Sequence, residues 1–397
     1  MLVYNPYDPE TVHNPYPTYA RLRDEAPVYR NEELGFYALT RFEDVMEAHL
    51  DHETFSSAGG VTLDGSTKDM PLLIVKDPPE HTVHRRIVSP LFTPRRIADM
   101  EPFVRQTCAD LLDGLAGREE IDLVQEFSIK FPLHVISELL DIPHDKRDRI
   151  HELSEHVAAA LGDPDKEETR SFAGLELVEL LMGLARERRE SPGTDVISTL
   201  MTTPVDDGHG GTRLPDDGEI GIRFMELAFA GHETVAKLIP NGLIALTWTP
   251  RDRERLAADP SLIPTAVEEM LRWDPPTHYQ GRTTTKDVTL HGVTIPAGST
   301  VILVTAAALH DEREFPDPDA FDLDRVLDRH VGFGLGRHVC LGASLARLEV
   351  RIAFEELFKR YAGWELVEGG AVRGVQGNIR GLSNLRIAVT PHAALVG

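Results

Sequence analysis

Hydrophobic positions along this chain recur mostly with the period of an α-helix. That spacing predicts a first helix at Pro17 to Glu25, and it dominates from about residue 80 to 202, where prolines punctuate it. The stretch from Glu219 to Thr247 is the longest apolar-rich helical segment, and we expect this helix to cross the centre of the domain. A further helix is predicted at Ile263 to Trp273.

Strand-like patterns are fewer and shorter. Alternating or β-branched runs predict strands at 28–30, 35–39, 288–290, 293–295 and 300–304, and hairpins after Trp364. Residues 56–78 are predicted to form a long loop with an apolar inner side, 204–218 an exposed loop, and 311–332 an irregular segment. No linker, repeat or low-complexity run divides the chain. We therefore expect a mainly α fold with small β-sheets (α+β), in a single domain over residues 1–397.

Composition narrows the class of protein. With 41% hydrophobic and 27% charged residues, the chain is typical of a globular protein with a sizeable core. No apolar run reaches the ~18 residues of a membrane span, and the N-terminus resembles no signal peptide. The two cysteines, Cys108 and Cys340, exclude a disulfide framework. We expect a cytoplasmic protein without a membrane anchor, and the net charge of −24 argues against nucleic acid as a partner.

The segment 333–342, Phe-Gly-Leu-Gly-Arg-His-Val-Cys-Leu-Gly, is the strongest chemical signal. It places Cys340 before a helix predicted from Ala343 to about Tyr361, where backbone N–H groups and the helix dipole favour a thiolate. Gly334, Gly336 and Gly342 allow positive φ angles and close approach of a flat ligand. A lone thiolate suits one axial bond to a metal held by a macrocycle, and it does not suit a four-ligand zinc site. The alternative is a buried structural cysteine.

A second signal lies inside the long central helix, at Ala230-Gly231-His232-Glu233-Thr234. Gly231 weakens the helix, and the Thr234 hydroxyl can bond back to the carbonyl four residues earlier, which predicts a local opening of the helix. An acid beside a hydroxyl could relay protons to bound dioxygen. The alternative is that Gly231 only allows close helix packing and Thr234 is a satisfied core hydroxyl. A zinc-protease motif is excluded, because the second histidine it needs is replaced by Ala236.

The segment 333–342 resembles the cysteine loop of the cytochrome P450 family, Phe-x-x-Gly-x-x-x-Cys-x-Gly. The resemblance covers nearly the whole chain, since the acid–alcohol pair, a Glu-x-x-Arg pair (Glu269 and Arg272) and Cys340 follow in the family's order. It implies that Cys340 is the proximal ligand of haem iron, with Phe333 and Gly342 in the haem-binding loop. Val235 and Pro240 depart from the pattern, and Pro240 leaves the path of the helix end open.

The resemblance also implies roles for other residues. Gly231, Glu233 and Thr234 would be catalytic: Thr234 would support the activation of dioxygen, and Glu233 would feed or orient the proton path. Glu269, Arg272 and Arg325 would form a buried network that fixes the loop of Cys340. The two haem propionates would be anchored by four basic residues, namely His81, Arg85, Arg282 and His338.

The function implied is that of a monomeric haem b monooxygenase, which inserts one atom of O₂ into a lipophilic small molecule. Electrons would come from an external ferredoxin, because the chain has no flavin- or nicotinamide-binding motif. A peroxide-driven haem oxygenase and a non-catalytic haem-binding protein are the alternatives. The expected pocket walls are mostly apolar, with Thr277 and His278 as polar groups, and comprise 58–76, the helices near 150–185, 223–234, 276–279 and 377–381.

Arginines crowd the segments that should surround the cysteine loop. We expect them to form a local basic patch that steers an acidic ferredoxin. The alternative is that they are solvated and paired with Glu101 or Glu349. They are Arg85, Arg86, Arg95, Arg96, Arg105, Arg347 and Arg351.

Overall fold

Helices form most of the protein, as the periodicity predicts. The structure is a computed structural model that describes residues 2–159, 167–193, 195–206, 211–376 and 378–392. Its α-helices are α1 (Pro9–His13), α2 (Tyr16–Glu25), α3 (Phe42–Leu50), α4 (Glu80–Val88), α5 (Pro94–Asp99), α6 (Glu101–Asp113), α7 (Lys130–Leu139), α8 (His144–Ala159), α9 (Glu167–Glu190), α10 (Val196–Thr202), α11 (Asp217–Trp248), α12 (Pro250–Ala258), α13 (Ile263–Trp273), α14 (Thr305–Ala308) and α15 (Ala343–Arg360).

The strands are short, apart from one long terminal hairpin. They are β1 (Val28–Asn31), β2 (Phe36–Leu39), β3 (Phe55–Ser56), β4 (Glu120–Asp122), β5 (Val205–Asp206), β6 (Thr212–Arg213), β7 (Gln280–Thr284), β8 (Val288–Leu290), β9 (Val293–Ile295), β10 (Thr300–Leu303), β11 (Tyr361–Gln376) and β12 (Ile379–Pro391). A five-stranded sheet has the order β1-β2-β10-β7-β3, a three-stranded sheet the order β11-β12-β4, and β5-β6 and β8-β9 are separate hairpins. In the large sheet, only β2 and β10 are parallel.

The central helix α11 begins with a capping box. The Asp216 carboxylate accepts a hydrogen bond from the Glu219 N–H at 2.8 Å, and the Glu219 carboxylate accepts one from the Asp216 N–H at 3.0 Å. From Val235 to Leu246 every residue of α11 is buried, against α7, α9, α13, α15 and β12. The helix runs through Pro240 and ends two turns later, so this proline does not terminate it. Packing on all sides stabilises the helix despite the missing N–H.

A buried ionic network joins α13 to the irregular segment before the cysteine loop. Arg272, fully buried, donates to both carboxylate oxygens of Glu269, at 2.8 and 2.7 Å, and Arg325 donates to the same carboxylate at 3.2 Å. Arg272 also donates to the carbonyls of Leu309 and Pro318. The predicted network therefore forms, and one of its carbonyl partners, Pro318, lies in the irregular segment that precedes the loop.

Several elements differ from the predictions. The helices α1, α3, α12 and α14 and the strands β3, β4 and β7 were not predicted, and the predicted exposed loop 204–218 contains the hairpin β5-β6. The loop 56–78 has an apolar inner side at Val61 and Val75, which are buried, but Met70 and Ile74 are 40% and 37% exposed. None of the helices in the described part of the chain combines the length and hydropathy that a membrane span needs.

Candidate active site

The cysteine loop has the backbone that its glycines predict, with one exception. Gly334 and Gly336 both have φ of +65°, where other residues would be strained. The Cys340 N–H donates to the Phe333 carbonyl at 2.8 Å, which closes the loop. Gly342 has φ of −85°, so the expected positive φ is wrong for this residue. It instead directs its N–H toward the Cys340 sulfur at the start of α15.

The two cysteines have opposite surroundings. Cys108 is buried, with its thiol directed at the Ile352 carbonyl, and burial raises its pKa well above the usual range. The thiol of Cys340 is exposed. Protein atoms nevertheless crowd Cys340 on its other sides, and this burial raises its pKa, while the Gly342 N–H, Arg85 and Arg347 act in the opposite direction. Cys340 is thus the cysteine that a ligand can reach.

Arg85 holds the cysteine loop from helix α4. Its guanidinium donates to the carbonyls of Arg337 and Val339, at 3.0 and 2.8 Å. Burial lowers the pKa of Arg85, and the neighbouring Cys340 counteracts this. In this conformation Arg85 therefore fixes the loop backbone through hydrogen bonds.

A second brace comes from helix α13. Glu268 accepts hydrogen bonds from Arg347, at 2.6 and 2.8 Å, and from His330 at 2.8 Å. Burial opposes ionisation of this carboxyl group, yet Arg347 and His330 hold its pKa at about 2. The Arg347 guanidinium also lies 4.5 Å from the centre of the Phe333 ring. Sequence reasoning singled out Glu269 and Arg272 but missed their neighbour Glu268.

Basic side chains from four separate segments meet beside this loop. The rings of His81 and His338 are 4.4 Å apart, and His338 Nε2 lies 3.2 Å from the Ser57 hydroxyl. Arg282, on β7, is buried and forms no ion pair among the described residues. His49, at the end of α3, is also buried, and it was not among the predicted residues. Its signal was the apolar spacing at residues 42, 45 and 48, which indicates a helix with one buried face.

The basic groups of this cluster have lowered pKa values. Burial is the main cause for all of them, and it lowers the pKa of His49 to about 3, of His81 to about 4 and of His338 to about 3. Arg282 adds to the shift at His49 and His338, and Arg85 adds to the shift at His81. The pKa of Arg282 itself falls to about 10. The cluster is therefore an environment that favours anions.

The cluster also has unused hydrogen-bonding capacity. Neither ring nitrogen of His49, nor Nε2 of His81, has a partner within the described ranges. Asp77, which counteracts the lowering of the pKa at Arg282 and His81, is itself engaged by Ser56 and Ser57. A buried donor without a partner costs free energy, and a carboxylate can accept its hydrogen bond. The cluster therefore fits a ligand that carries carboxylates.

The acid–alcohol segment of α11 differs from the prediction in one respect. The helix is a continuous α-helix here, and the Thr234 hydroxyl lies 3.4 Å from the Ala230 carbonyl, so the predicted local opening is absent. A Cβ atom at Gly231 would lie 2.8 Å from two carbons of Ile136 in α7. This close contact supports a packing function for Gly231, which was the alternative interpretation.

Glu233 is a buried acid without hydrogen bonds. It is 3% exposed, and neither carboxylate oxygen has a partner in the described part of the chain. Burial raises its pKa to about 7, and Lys237, one turn further along α11, acts in the opposite direction. Thr234 and Ala230 lie on a face of the helix that is accessible, although most of the helix beyond is buried. Glu233 can therefore gain and lose a proton near neutral pH, next to an accessible hydroxyl.

The expected pocket walls are only partly as predicted. Glu226, on α11, accepts hydrogen bonds from the N–H groups of Leu73 and Ile74, which ties the 58–76 loop to the central helix. His278, expected to face the pocket, is buried and bonded to the Tyr19 hydroxyl at 3.0 Å. Gly377, and residues 160–166 of the 150–185 wall, lie outside the described residues.

The predicted arginine patch is largely neutralised. Arg105 pairs with Glu101, Glu355 and Glu356, and Arg351 pairs with Glu101 and Glu355. The alternative interpretation, that the arginines pair with Glu101 or Glu349, is therefore right for Glu101. It is wrong for Glu349, which is buried with both carboxylate oxygens unpartnered among the described residues.

Comparisons with known proteins agree with this geometry. A family model described as Cytochrome P450 matches residues 176–378. Cytochrome P450 123 of Mycobacterium tuberculosis is 38% identical over 395 residues, which is 98% of this chain and 97% of that protein. The chain belongs to the cytochrome P450 family.

Other P450 relatives extend the likeness. The vitamin D(3) 25-hydroxylase of Pseudonocardia autotrophica is 38% identical over 96% of this chain and 95% of its own length. The solved structure of CYP109Q5 from Chondromyces apiculatus has a TM-score of 0.88 and 33% identity, over 97% of this chain and 98% of that one. CYP109E1 from Bacillus megaterium, solved in complex with corticosterone, has a TM-score of 0.85 and 29% identity, over 96% and 99%. The protein is thus a P450 monooxygenase, an oxidoreductase with a haem-thiolate cofactor.

Proposed function

We propose that this P450 uses haem b, bound through Cys340, to insert one oxygen atom into a lipophilic small molecule. The observation that carries the proposal is the pairing of an exposed thiol with a basic cluster whose buried donors lack partners. A flat macrocycle with one axial metal bond and two carboxylates would use both the exposed thiol and the unpartnered donors. When bound, haem supplies the redox chemistry that activates dioxygen.

The residues divide into those that hold the cofactor and those that hold the loop. Cys340 would supply the axial thiolate, and Phe333 and Gly342 would shape the loop on either side of it. His81, His338 and Arg282 would bind the propionates, and we add His49 to this set because both its ring nitrogens are available. For Arg85 we propose that it binds a propionate and also holds the cysteine loop. The second role follows from its guanidinium, which donates to the loop carbonyls.

Glu233 and Thr234 would deliver protons to the oxygen side of the site. A carboxyl group with a pKa of about 7 exchanges its proton readily at neutral pH, which suits a general acid. The adjacent hydroxyl both donates and accepts a hydrogen bond, so it can pass a proton on. Gly231 would contribute through packing, since it lets α11 lie close to α7.

We further propose a substrate of sterol-like or comparable lipophilic character, with electrons from a ferredoxin. The names of the vitamin D(3) 25-hydroxylase and of the corticosterone complex support the substrate class. The ion pairs of Arg105 and Arg351 weaken the argument for a broad basic docking patch, and exposed Arg337 is the better candidate contact. Cytoplasmic location, a monomeric state and a single domain over residues 1–397 stay predictions.

The ligand assignment is tested by the spectrum of the reduced protein with carbon monoxide. We expect the red-shifted Soret band of thiolate ligation in the wild type and in Cys108→Ala, and its loss in Cys340→His. Cys108 is the matched control because its thiol is buried away from any ligand. Loss of the band in Cys108→Ala, or its retention in Cys340→His, would overturn the proposal.

A further inference from the structure

A buried lysine lies one helical turn after the acid of α11. Lys237 is 7% exposed, and its ammonium group donates to the Leu382 carbonyl of β12 at 3.2 Å. Its side chain packs directly on Gly381, where a Cβ atom would lie 2.5–2.6 Å from three of the lysine carbons. The ammonium is therefore held on the terminal hairpin, and a side chain at position 381 would displace it.

Lys237 and Glu233 are coupled to each other and to no other charge in the described part of the chain. Burial raises the pKa of Glu233 and lowers the pKa of Lys237. Each residue counteracts the pKa shift of the other, and no other group in the described part of the chain contributes to either shift. Of the charged groups on neighbouring turns and elements, His232 bonds to the Ala228 carbonyl, and His134 of α7 is exposed. Arg380 of β12 pairs with Asp274, and Glu269 and Arg272 of α13 pair with each other. Glu349 of α15 is buried and unpartnered among the described residues, but it does not contribute to the pKa shift of either Glu233 or Lys237.

The geometry leaves an incomplete pair. The carboxylate oxygens of Glu233 have no hydrogen-bond partner, and the ammonium has a carbonyl as its one described acceptor although it carries three donors. Residues four apart on a helix lie on the same face, so a rotation of the Glu233 side chain can bring the two together.

We propose that Lys237, held by β12, is a positioning residue that sets the charge and orientation of the Glu233 carboxyl group for proton transfer. In this step Glu233 gives its proton toward the Thr234 side and regains one from solvent, while the lysine keeps its own protons. The inference rests on the proposed role of Glu233 and adds a residue, and a hairpin contact, that control it.

The first test follows the carboxyl group directly and does not depend on turnover. The C=O stretch of protonated Glu233 is identified by infrared difference spectroscopy as the band absent from Glu233→Gln, and it is then titrated with pH. In Lys237→Met the band should persist about one pH unit or more higher than in the wild type, because a nearby opposite charge typically lowers an acid's pKa by that amount. Lys237→Arg should restore the wild-type titration, and Lys286→Met, at an exposed site, should leave it unchanged.

The second test measures the pH dependence of coupling, as product formed per nicotinamide consumed. The pH at which coupling changes should move upward in Lys237→Met by the same amount as the infrared titration, with the substrate Kd unchanged. Gly381→Ala, which displaces the lysine side chain, should shift both profiles in the same direction, and it decides the question if Lys237→Met fails to fold.

An infrared titration that Lys237→Met and Gly381→Ala leave unmoved would overturn the inference. The reduced carbon monoxide spectrum separates this failure from failure of the proposed function. A normal thiolate band with an unmoved Glu233 titration rejects only the role of Lys237, whereas loss of the band in the wild type rejects haem ligation by Cys340.

Discussion

Replacement of Gly231 by alanine separates a packing role from a catalytic one. A Cβ atom at this position would lie 2.8 Å from Cγ1 and Cδ1 of Ile136, and 3.3 Å from its Cβ. Ile136 is 1% exposed and β-branched, so it has little freedom to move. Overpacking of this kind costs about 1–3 kcal/mol. Alanine in place of glycine in a helix gains about 0.5–1 kcal/mol. We therefore expect a net destabilisation between about zero and about 2.5 kcal/mol from these two ranges.

Gly183 provides the matched control for this substitution. It also lies inside a helix, α9, and a Cβ atom there would meet nothing within 4 Å. Gly183→Ala should therefore stabilise the protein by about 0.5–1 kcal/mol. The two variants should differ by about 1–3 kcal/mol in the free energy of unfolding, measured by urea denaturation and circular dichroism.

A double mutant isolates the contact with Ile136. Ile136→Ala alone should cost about 2–5 kcal/mol, because it leaves a cavity. In that background Gly231→Ala should become neutral or stabilising, since the added methyl group fills space that the isoleucine occupied. If Gly231→Ala instead stabilises the protein as Gly183→Ala does, in both backgrounds, the packing argument is wrong. A fall in coupling with unchanged stability would return Gly231 to a catalytic role.

Three further substitutions test the site and its support. Thr234→Ala should leave substrate binding nearly normal but divert reducing equivalents to hydrogen peroxide, because the hydroxyl that passes the proton is lost; an unchanged ratio of product to nicotinamide would make Thr234 a packing residue only. Glu269→Ala leaves the fully buried Arg272 without its carboxylate and should destabilise the protein by about 3–5 kcal/mol. The exposed pair of Arg21 and Glu25 is its control, and Glu25→Ala should leave the free energy of unfolding nearly unchanged in the same denaturation assay. The pKa of Glu233 is about 7 in the folded protein, above its unfolded value, so the unfolded state loses the proton first and stability falls as pH rises from about 4.5 to 7. Relative to the wild type, Glu233→Gln should gain up to about 3 kcal/mol across this window, and a difference that does not vary with pH would contradict the raised pKa.

Local pattern determined the features of this protein that a single segment can encode. The helical period located α2, α11, α13 and α15, because each buries one continuous face or is buried all round. The glycines at 334 and 336 predicted positive φ angles, since only glycine adopts them without strain. The network of Glu269, Arg272 and Arg325 followed from the family motif, and the structure confirms it.

Tertiary contacts decided what local pattern left open. Helix α3 was missed although the spacing at residues 42, 45 and 48 fits a helix, whereas β7 has polar residues that become a strand only because β10 and β3 lie beside it. Gly231 leaves room for Ile136, which is far away in sequence and packs against it. Contacts between distant residues also decide which arginines form ion pairs. Arg351 pairs with Glu101, which is 250 residues earlier in the chain.

The same reason explains the residues that sequence reasoning missed. His49, Glu268 and Lys237 carry no motif, and their chemistry arises from neighbours that only the fold brings close. A histidine becomes part of an anion site when arginines surround it, and a lysine becomes a regulator of an acid when both are removed from water. Sequence thus determined which residue types and backbone shapes were available, and the tertiary structure determined which charges are buried together, because burial and long-range pairing set their energies.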